Sequence, residues 1–175
     1  MDSINKVKQT KQTCLRVIDL SRCIGCGSCE AVCEFLNGTP FIKVYRTRIG
    51  LEIPISCMHC GKAPCIEVCP TRAMSRDEQG AVYINTARCI GCMACLTACP
   101  FGIPELDAKA RVVVKCDLCA SLRKEGLTPA CVSICPTEAI VFGLPVKVFD
   151  EVKMRVIESW AKTRFEALEE GTRIR

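Results

Sequence analysis

The spacing of the cysteines constrains this chain more than any other feature. Of its seventeen cysteines, sixteen fall into four groups of four. They are Cys23, Cys26, Cys29 and Cys33; Cys57, Cys60, Cys65 and Cys69; Cys89, Cys92, Cys95 and Cys99; and Cys116, Cys119, Cys131 and Cys135. The first and third groups share C-x2-C-x2-C-x3-C, and residues 18–35 and 84–101 are identical at nine of eighteen positions. The second and fourth also resemble each other, "APCIEVCPTRAM" against "PACVSICPTEAI", with seven extra residues around "ASLRKEGLTP" in the fourth. The chain therefore reads as A, B, A′, B′, a duplicated two-motif unit, and an internal repeat outranks local propensity in assigning a fold.

So many thiols imply either a disulfide framework or metal coordination. The N-terminal stretch "MDSINKVKQTKQTC" has charges but no apolar run of an export signal, and no apolar stretch is long enough to span a bilayer. The expectation is a cytoplasmic protein with metal-bound thiolates. Cysteines three apart on a tight loop can turn three thiolates around one cubane. The fourth lies a helical turn further on and points away. In two-cluster ferredoxins, whose bacterial signature is C-x2-C-x2-C-x3-C-P, that fourth thiolate serves the other cluster. Gly25, Gly27 and Gly91 sit between ligands, where a missing side chain lets backbones approach closely. Zinc is the rival metal, because groups two and four alone resemble two C-x2-C pairs, but four thiols within eleven residues do not suit one tetrahedron. Sixteen ligands then imply four 4Fe–4S clusters binding iron.

Charge and composition agree with this. Lys and Arg exceed Asp and Glu by 24 to 19, a net +5, but the cations are scattered and aromatic residues make up only 5%. That disfavours a nucleic-acid surface, which needs gathered cations and stacking rings. Each oxidised cluster with four thiolates carries roughly −2, so four bring the total to about −3 and the basic excess becomes compensation. A core so poor in large side chains also leaves room for inorganic clusters.

Spacing leaves the pairing of groups open: one with two and three with four, or one with four and two with three. The runs "CDLCASLRKEGLTPACVSICPTEAI", "CMHCGKAPCIEVCPT" and "RCIGCMACLTACPFG" resemble the four-cluster iron–sulfur subunits of complex oxidoreductases. That family includes the electron-transfer subunits of formate dehydrogenases, dimethyl sulfoxide reductases, tungsten aldehyde oxidoreductases, carbon monoxide dehydrogenases and hydrogenases. The resemblance implies nested pairing. Cluster one takes Cys23, Cys26, Cys29 and Cys135; cluster two takes Cys33, Cys116, Cys119 and Cys131. Cluster three takes Cys57, Cys60, Cys65 and Cys99; cluster four takes Cys69, Cys89, Cys92 and Cys95. It further implies an α+β fold of two ferredoxin-like two-cluster modules, one nested in the other, with small β-hairpins, short helices and a C-terminal helix. Residues 14–50 and 105–143 form the outer module, 51–104 the inner, and 144–175 a helical docking segment. Group one departs from the pattern at Glu34, where proline is usual, which alters the turn after Cys33 without removing a ligand.

The implied function is a non-catalytic subunit of an oxidoreductase complex that relays single electrons between a catalytic subunit and an external carrier or second redox subunit. A tungsten or molybdenum pterin enzyme acting on formate or aldehydes is the favoured partner. The alternatives are the electron-transfer subunit of a hydrogenase or carbon monoxide dehydrogenase, a free-standing soluble polyferredoxin, and a zinc or redox-sensing regulator. No nucleophile, base or substrate pocket is recognisable. Brief strands are expected at "RVID", "IPIS", "AVYIN" and "RVVVK", with short helices after the fourth ligands. His59 reads as a packed residue donating a hydrogen bond, and Cys14 as a spare thiol. In the cysteine-free tail, Phe149, Val152, Val156 and Trp160 recur at helical spacing, with Ile157, Ala161 and Leu168 near the same face and Gly171 as a C-cap. Such a helix either packs on its own core or docks on a partner or second copy, with Trp160 and Phe165 as anchors.

Overall fold

The computed structural model of the chain describes residues 15–172, and gives no side-chain account of residues 164, 165 and 167–172. Cys14 therefore lies outside the described residues. Eight short strands among them make four antiparallel pairs. β1 (Leu15–Ile18) pairs with β8 (Ile140–Gly143), β2 (Ile42–Arg46) with β3 (Glu52–Ser56), β4 (Met74–Arg76) with β5 (Val82–Ile84), and β6 (Glu105–Asp107) with β7 (Val112–Val114). Four of these coincide with the expected strands; their partners β2, β4, β6 and β8 are additional to them.

The duplication is preserved down to strand register. Ile18 of β1 faces Ile140 of β8, and the equivalent Ile84 of β5 faces Met74 of β4. In both copies the amide just beyond the strand closes the pair: Asp19 N donates to Ala139 O at 2.7 Å, and Asn85 N to Ala73 O at 2.8 Å. β1 and β8 come from opposite ends of the chain, and the strands β4 and β5 lie between them in sequence.

The helices are α1 (Ser28–Asn37), α2 (Pro64–Glu67), α3 (Ala94–Ala98), α4 (Ala120–Lys124), α5 (Ala130–Ser133) and α6 (Pro145–Thr172). The short ones precede the fourth cysteine of their group rather than follow it, contrary to expectation. Proline explains the order. Pro64 opens α2 and Pro129 caps α5, where a fixed φ favours the first turn. Pro70, Pro100 and Pro136 then follow the fourth cysteines and bar continuation. Group one shows the converse. With Glu34 in place of proline, α1 runs on past Cys33 to Asn37 and ends at Gly38, whose φ of 72° lets its N–H reach Glu34 O at 2.7 Å.

α1 packs against α5, and α2 against α3. One apolar cluster gathers Cys29, Cys33, Ile42, Cys131 and Ile140; a second gathers Met74, Cys95 and Val113 with Cys65, Cys69 and Cys89. The tail is helical as expected, but its inward face is different. Val148 is buried at 1% exposure against β1 and β8, whereas Phe149 and Trp160 are 59% and 73% exposed. The contact comes from residues beside the expected stripe: Val148 against β1 and β8, and Arg155, which donates to Glu138 O at 2.9 Å. Gly171 lies within the helix rather than beyond it, a position glycine tolerates at a cost of about 1 kcal/mol.

Candidate metal centres

All sixteen grouped cysteines lie within the described residues as free thiols. Three quartets each line a cavity of their own: Cys23, Cys26, Cys29 and Cys135; Cys57, Cys60, Cys65 and Cys99; and Cys69, Cys89, Cys92 and Cys95. In the fourth set, Cys131 is close enough to Cys116 and Cys33 to be perturbed by both, and Cys119 to Cys131 and Cys116. Each grouping takes three cysteines from one motif and one from another. Among the described residues, no three His, Cys, Asp or Glu side chains converge on a point that would hold a single ion. Three of the quartets instead stand around a cavity, an arrangement that suits a larger inorganic body than a single ion.

The donor set carries the same message. Burial, reinforced by neighbouring thiols, pushes Cys29, Cys95 and Cys119 up to about 11, so collecting their thiolates calls for a positively charged centre to offset the cost. Elsewhere the backbone favours the thiolate directly. Burial pushes Cys69 and Cys135 up, but amide donors and the hydroxyls of Thr71 and Thr137 outweigh it and hold both below the usual range. One of these donors is Ala73 N, 3.2 Å from Cys69 Sγ, and amides also aim at other sulfurs: Phe41 N at Cys33 Sγ (3.2 Å), Val113 N at Cys89 Sγ (3.3 Å) and Leu118 N at Cys116 Sγ (3.4 Å). These contacts are the hydrogen bonds that tune a cluster's potential. The residues present therefore fit iron–sulfur clusters.

The loops that aim these groups depend on left-handed backbone. Gly91, at φ 67°, lies so close to the β6–β7 hairpin that an added Cβ would sit 2.6 Å from Arg111 O. The equivalent Gly25 is covered by the Glu52 side chain. The close approach expected of Gly25 and Gly91 is thus to a neighbouring hairpin, whereas Gly27, of which it was also expected, has nothing within 4 Å of an added Cβ.

The residues that spacing did not reveal are cations. Lys115 is 5% exposed. Its ammonium donates to Val82 O, to Cys116 O at 2.9 Å and to Cys57 Sγ at 3.6 Å. Arg16 directs Nη1 at Cys116 Sγ (3.8 Å) and Cys131 Sγ (3.7 Å), and Nη2 at Ser56 Oγ and Cys57 O (3.1 Å). Burial alone would lower Arg16, but Cys116 and Cys131 hold it above its ordinary value. Both side chains therefore span from Cys57 to the Cys116 group. A third, Arg123, uses the seven-residue insertion: on α4 it is 6% exposed and joins Asp77 at 2.6 Å across to the β4–β5 turn. The signals were present as lone charges in "LRVI" and "VVVK", among the scattered cations that the sequence alone marks only as charge compensation.

His59 corrects an expectation. Burial first, then Lys115, Arg16, Arg123 and Arg76, hold it down to about 2, so it is neutral. Its Nδ1 accepts from Val82 N at 2.9 Å rather than donating, and its buried Nε2 has no partner among the described residues.

Comparison with known proteins agrees. A 4Fe–4S dicluster domain matches residues 50–144, and a 4Fe–4S binding domain matches residues 16–35. The thiosulfate reductase electron transfer subunit PhsB of Salmonella typhi is 42% identical over 140 residues, covering 71% of this chain and 72% of that protein. A sulfite dehydrogenase subunit of Allochromatium vinosum is 37% identical over 160 residues (73% and 67%), and a polysulfide reductase chain of Wolinella succinogenes is 36% identical over 140 (71% and 73%). With the dicluster match covering over half its length, the chain belongs to the 4Fe–4S dicluster family of ferredoxin-like iron–sulfur proteins, among the electron-transfer subunits of oxidoreductase complexes.

Proposed function

We propose that this chain is a non-catalytic subunit holding four 4Fe–4S clusters in a continuous row, through which single electrons pass between a catalytic oxidoreductase subunit and a second redox partner. The observation that carries the reading is the segregation of sixteen thiols into four quartets whose neighbours are linked in turn. Cys29 and Cys33 share one apolar cluster with Cys131. Lys115 and Arg16 link Cys116 to Cys57. Cys65 and Cys95 share the other apolar cluster. The spatial order that follows is cluster one, two, three, four.

This reading keeps the modules expected from the sequence: residues 14–50 and 105–143 outside, 51–104 within, and 144–175 for docking. The pairing of β1 with β8 around the whole intervening chain supports nesting. Each cluster, when bound, supplies a one-electron carrier. The protein's own residues do the rest. Amides and Arg16 donate hydrogen bonds to the ligand sulfurs, apolar packing excludes water around Cys29, Cys95 and Cys131, and Cys26 and Cys92 remain exposed at the two ends.

The catalytic partner of this reading is of the molybdenum or tungsten pterin type. The sequence alone favours formate or an aldehyde as its substrate; the names of the relatives move the preference to a sulfur oxyanion or polysulfide. No helix among the described residues is long and apolar enough to cross a membrane. The test is anaerobic purification from the native source. A catalytic subunit should accompany the chain, and its substrate should reduce or reoxidise the chain's clusters. A chain isolated alone, with clusters intact, would favour a free-standing polyferredoxin.

A further inference from the structure

The two ends of the row are built on one plan but carry different charge. Cys26 and Cys92 are the exposed cysteines among the described residues. Each lies in the loop of its C-x2-C-x2-C motif beside an isoleucine, and Ile24 and Ile90 are both 66% exposed. Around Ile24 the charges are paired. Arg22 meets Glu138 at 3.9 Å, Glu138 also meets Arg155 at 3.9 Å, and Glu52, lying over Gly25, meets Arg46 at 3.8 Å.

The same positions around Ile90 are basic. Arg88 repeats Arg22, while Arg72 stands where the other copy has Glu138, "CPTR" against "CPTE". Both of these residues are exposed and left-handed, at φ 53° and 51°. The backbone carbonyl of Arg111 lies against Gly91, whereas it is the Glu52 side chain that lies over Gly25. Arg72, Arg88 and Arg111 are all exposed, and none takes part in an ion pair among the described residues. Exposed Lys109 adds a fourth cation. Of the acids near in sequence, Glu67 lies two residues before Cys69, and Asp107 lies in the hairpin that carries Arg111, its carboxylate accepting from the amides of Lys109 and Ala110 at 2.8 and 3.0 Å.

We propose that the Cys92 end is the docking surface for an acidic electron-carrier protein. Ile90 and Met93 form its apolar centre, and Arg72, Arg88 and Arg111 its rim. The proposal rests on the four-cluster reading, which makes this loop one end of the row. Transient redox encounters use small interfaces with charge-complementary rims that set the association rate, and this end has that form. In the step, one electron leaves the reduced carrier, which is oxidised, and is taken up at the centre of Cys69, Cys89, Cys92 and Cys95, which is reduced. No proton moves and no bond forms or breaks.

Stopped-flow reduction of the anaerobically purified full chain tests this, with an acidic plant-type 2Fe–2S ferredoxin and, separately, reduced methyl viologen as donors. The variant is Arg72→Glu/Arg111→Glu, and Glu138 shows that glutamate accepts the backbone required at position 72. Arg48→Glu/Lys124→Glu, at exposed sites elsewhere, makes the same change in net charge. The wild-type ferredoxin rate should fall with salt, and the docking variant should slow it by about 10-fold or more, the scale of electrostatic steering. The control should stay near wild type, and viologen, a cation, should not slow with either variant. An unchanged ferredoxin rate with clusters loaded would overturn the docking surface alone. So would an equal loss in the control, or loss of the catalytic subunit from the variant while the ferredoxin rate stayed intact. A wild-type chain that holds no cluster at these four cysteines would bring down the four-cluster reading as well.

Discussion

Lys115 shows what a single buried charge contributes. Its three donated contacts reach Val82 O, Cys116 O and Cys57 Sγ, so it stands beside cysteines of two of the proposed quartets at once. A positive charge there stabilises the reduced, more negative state of both. Lys115→Met should therefore shift the potentials of the two middle clusters to more negative values, with iron content unchanged and Lys115→Arg restoring them. An EPR-monitored redox titration measures this. Backbone strain allows a second test. Gly27 has nothing within 4 Å of an added Cβ, and Met93 occupies its equivalent position at φ 59°. Gly27→Ala should cost only about 1 kcal/mol in thermal unfolding of the loaded chain. Gly91→Ala should cost clearly more, because Arg111 O lies 2.6 Å away. The four cysteine groups were legible because their spacing repeats along the chain. Lys115 and Arg16 were not, because nothing local distinguishes a lysine buried between two groups of cysteines from one that faces water.

At the scale of elements, the proposed pairing takes each fourth cysteine out of its own motif. α2 and α5 deliver Cys69 and Cys135, and α3 delivers Cys99, just before a proline that turns the chain away. Cys99 accordingly lines the cavity of Cys57, Cys60 and Cys65 rather than that of its own motif. In EPR spectra of the reduced chain, Cys99→Ser and Cys60→Ser should alter the same component, and Cys92→Ser a different one. Agreement between Cys99→Ser and Cys92→Ser would reverse the pairing. The repeat made the duplicated units readable, and the missing proline at Glu34 foretold a changed turn after Cys33. The hairpin partners escaped notice because strands of three to five residues leave too little alternation to detect. The role of α4 escaped for another reason: an insertion shows its length in sequence, whereas the Arg123–Asp77 contact it provides is long-range.

For the whole molecule, side-chain core and cluster ligands are one structure: Cys29, Cys33 and Cys131 belong to the same packed cluster as Ile42 and Ile140. Iron bound at these thiols should therefore couple to folding, as in other metal-dependent small domains. α6 stands partly outside this unit. Val148 anchors it against β1 and β8, while Phe149, Met154, Ile157 and Trp160 remain exposed. Deleting residues 158–175 should leave iron content and melting temperature unchanged but lose the catalytic subunit on co-purification. Removal of Val148 as well should forfeit about 1.5–3 kcal/mol of burial. The most direct measurement is anaerobic native mass spectrometry of the purified chain. It should find four 4Fe–4S increments, about sixteen irons and sixteen sulfides, on a polypeptide without disulfides. A saturated species with two clusters, or one loaded with zinc, would contradict a protein built to hold four.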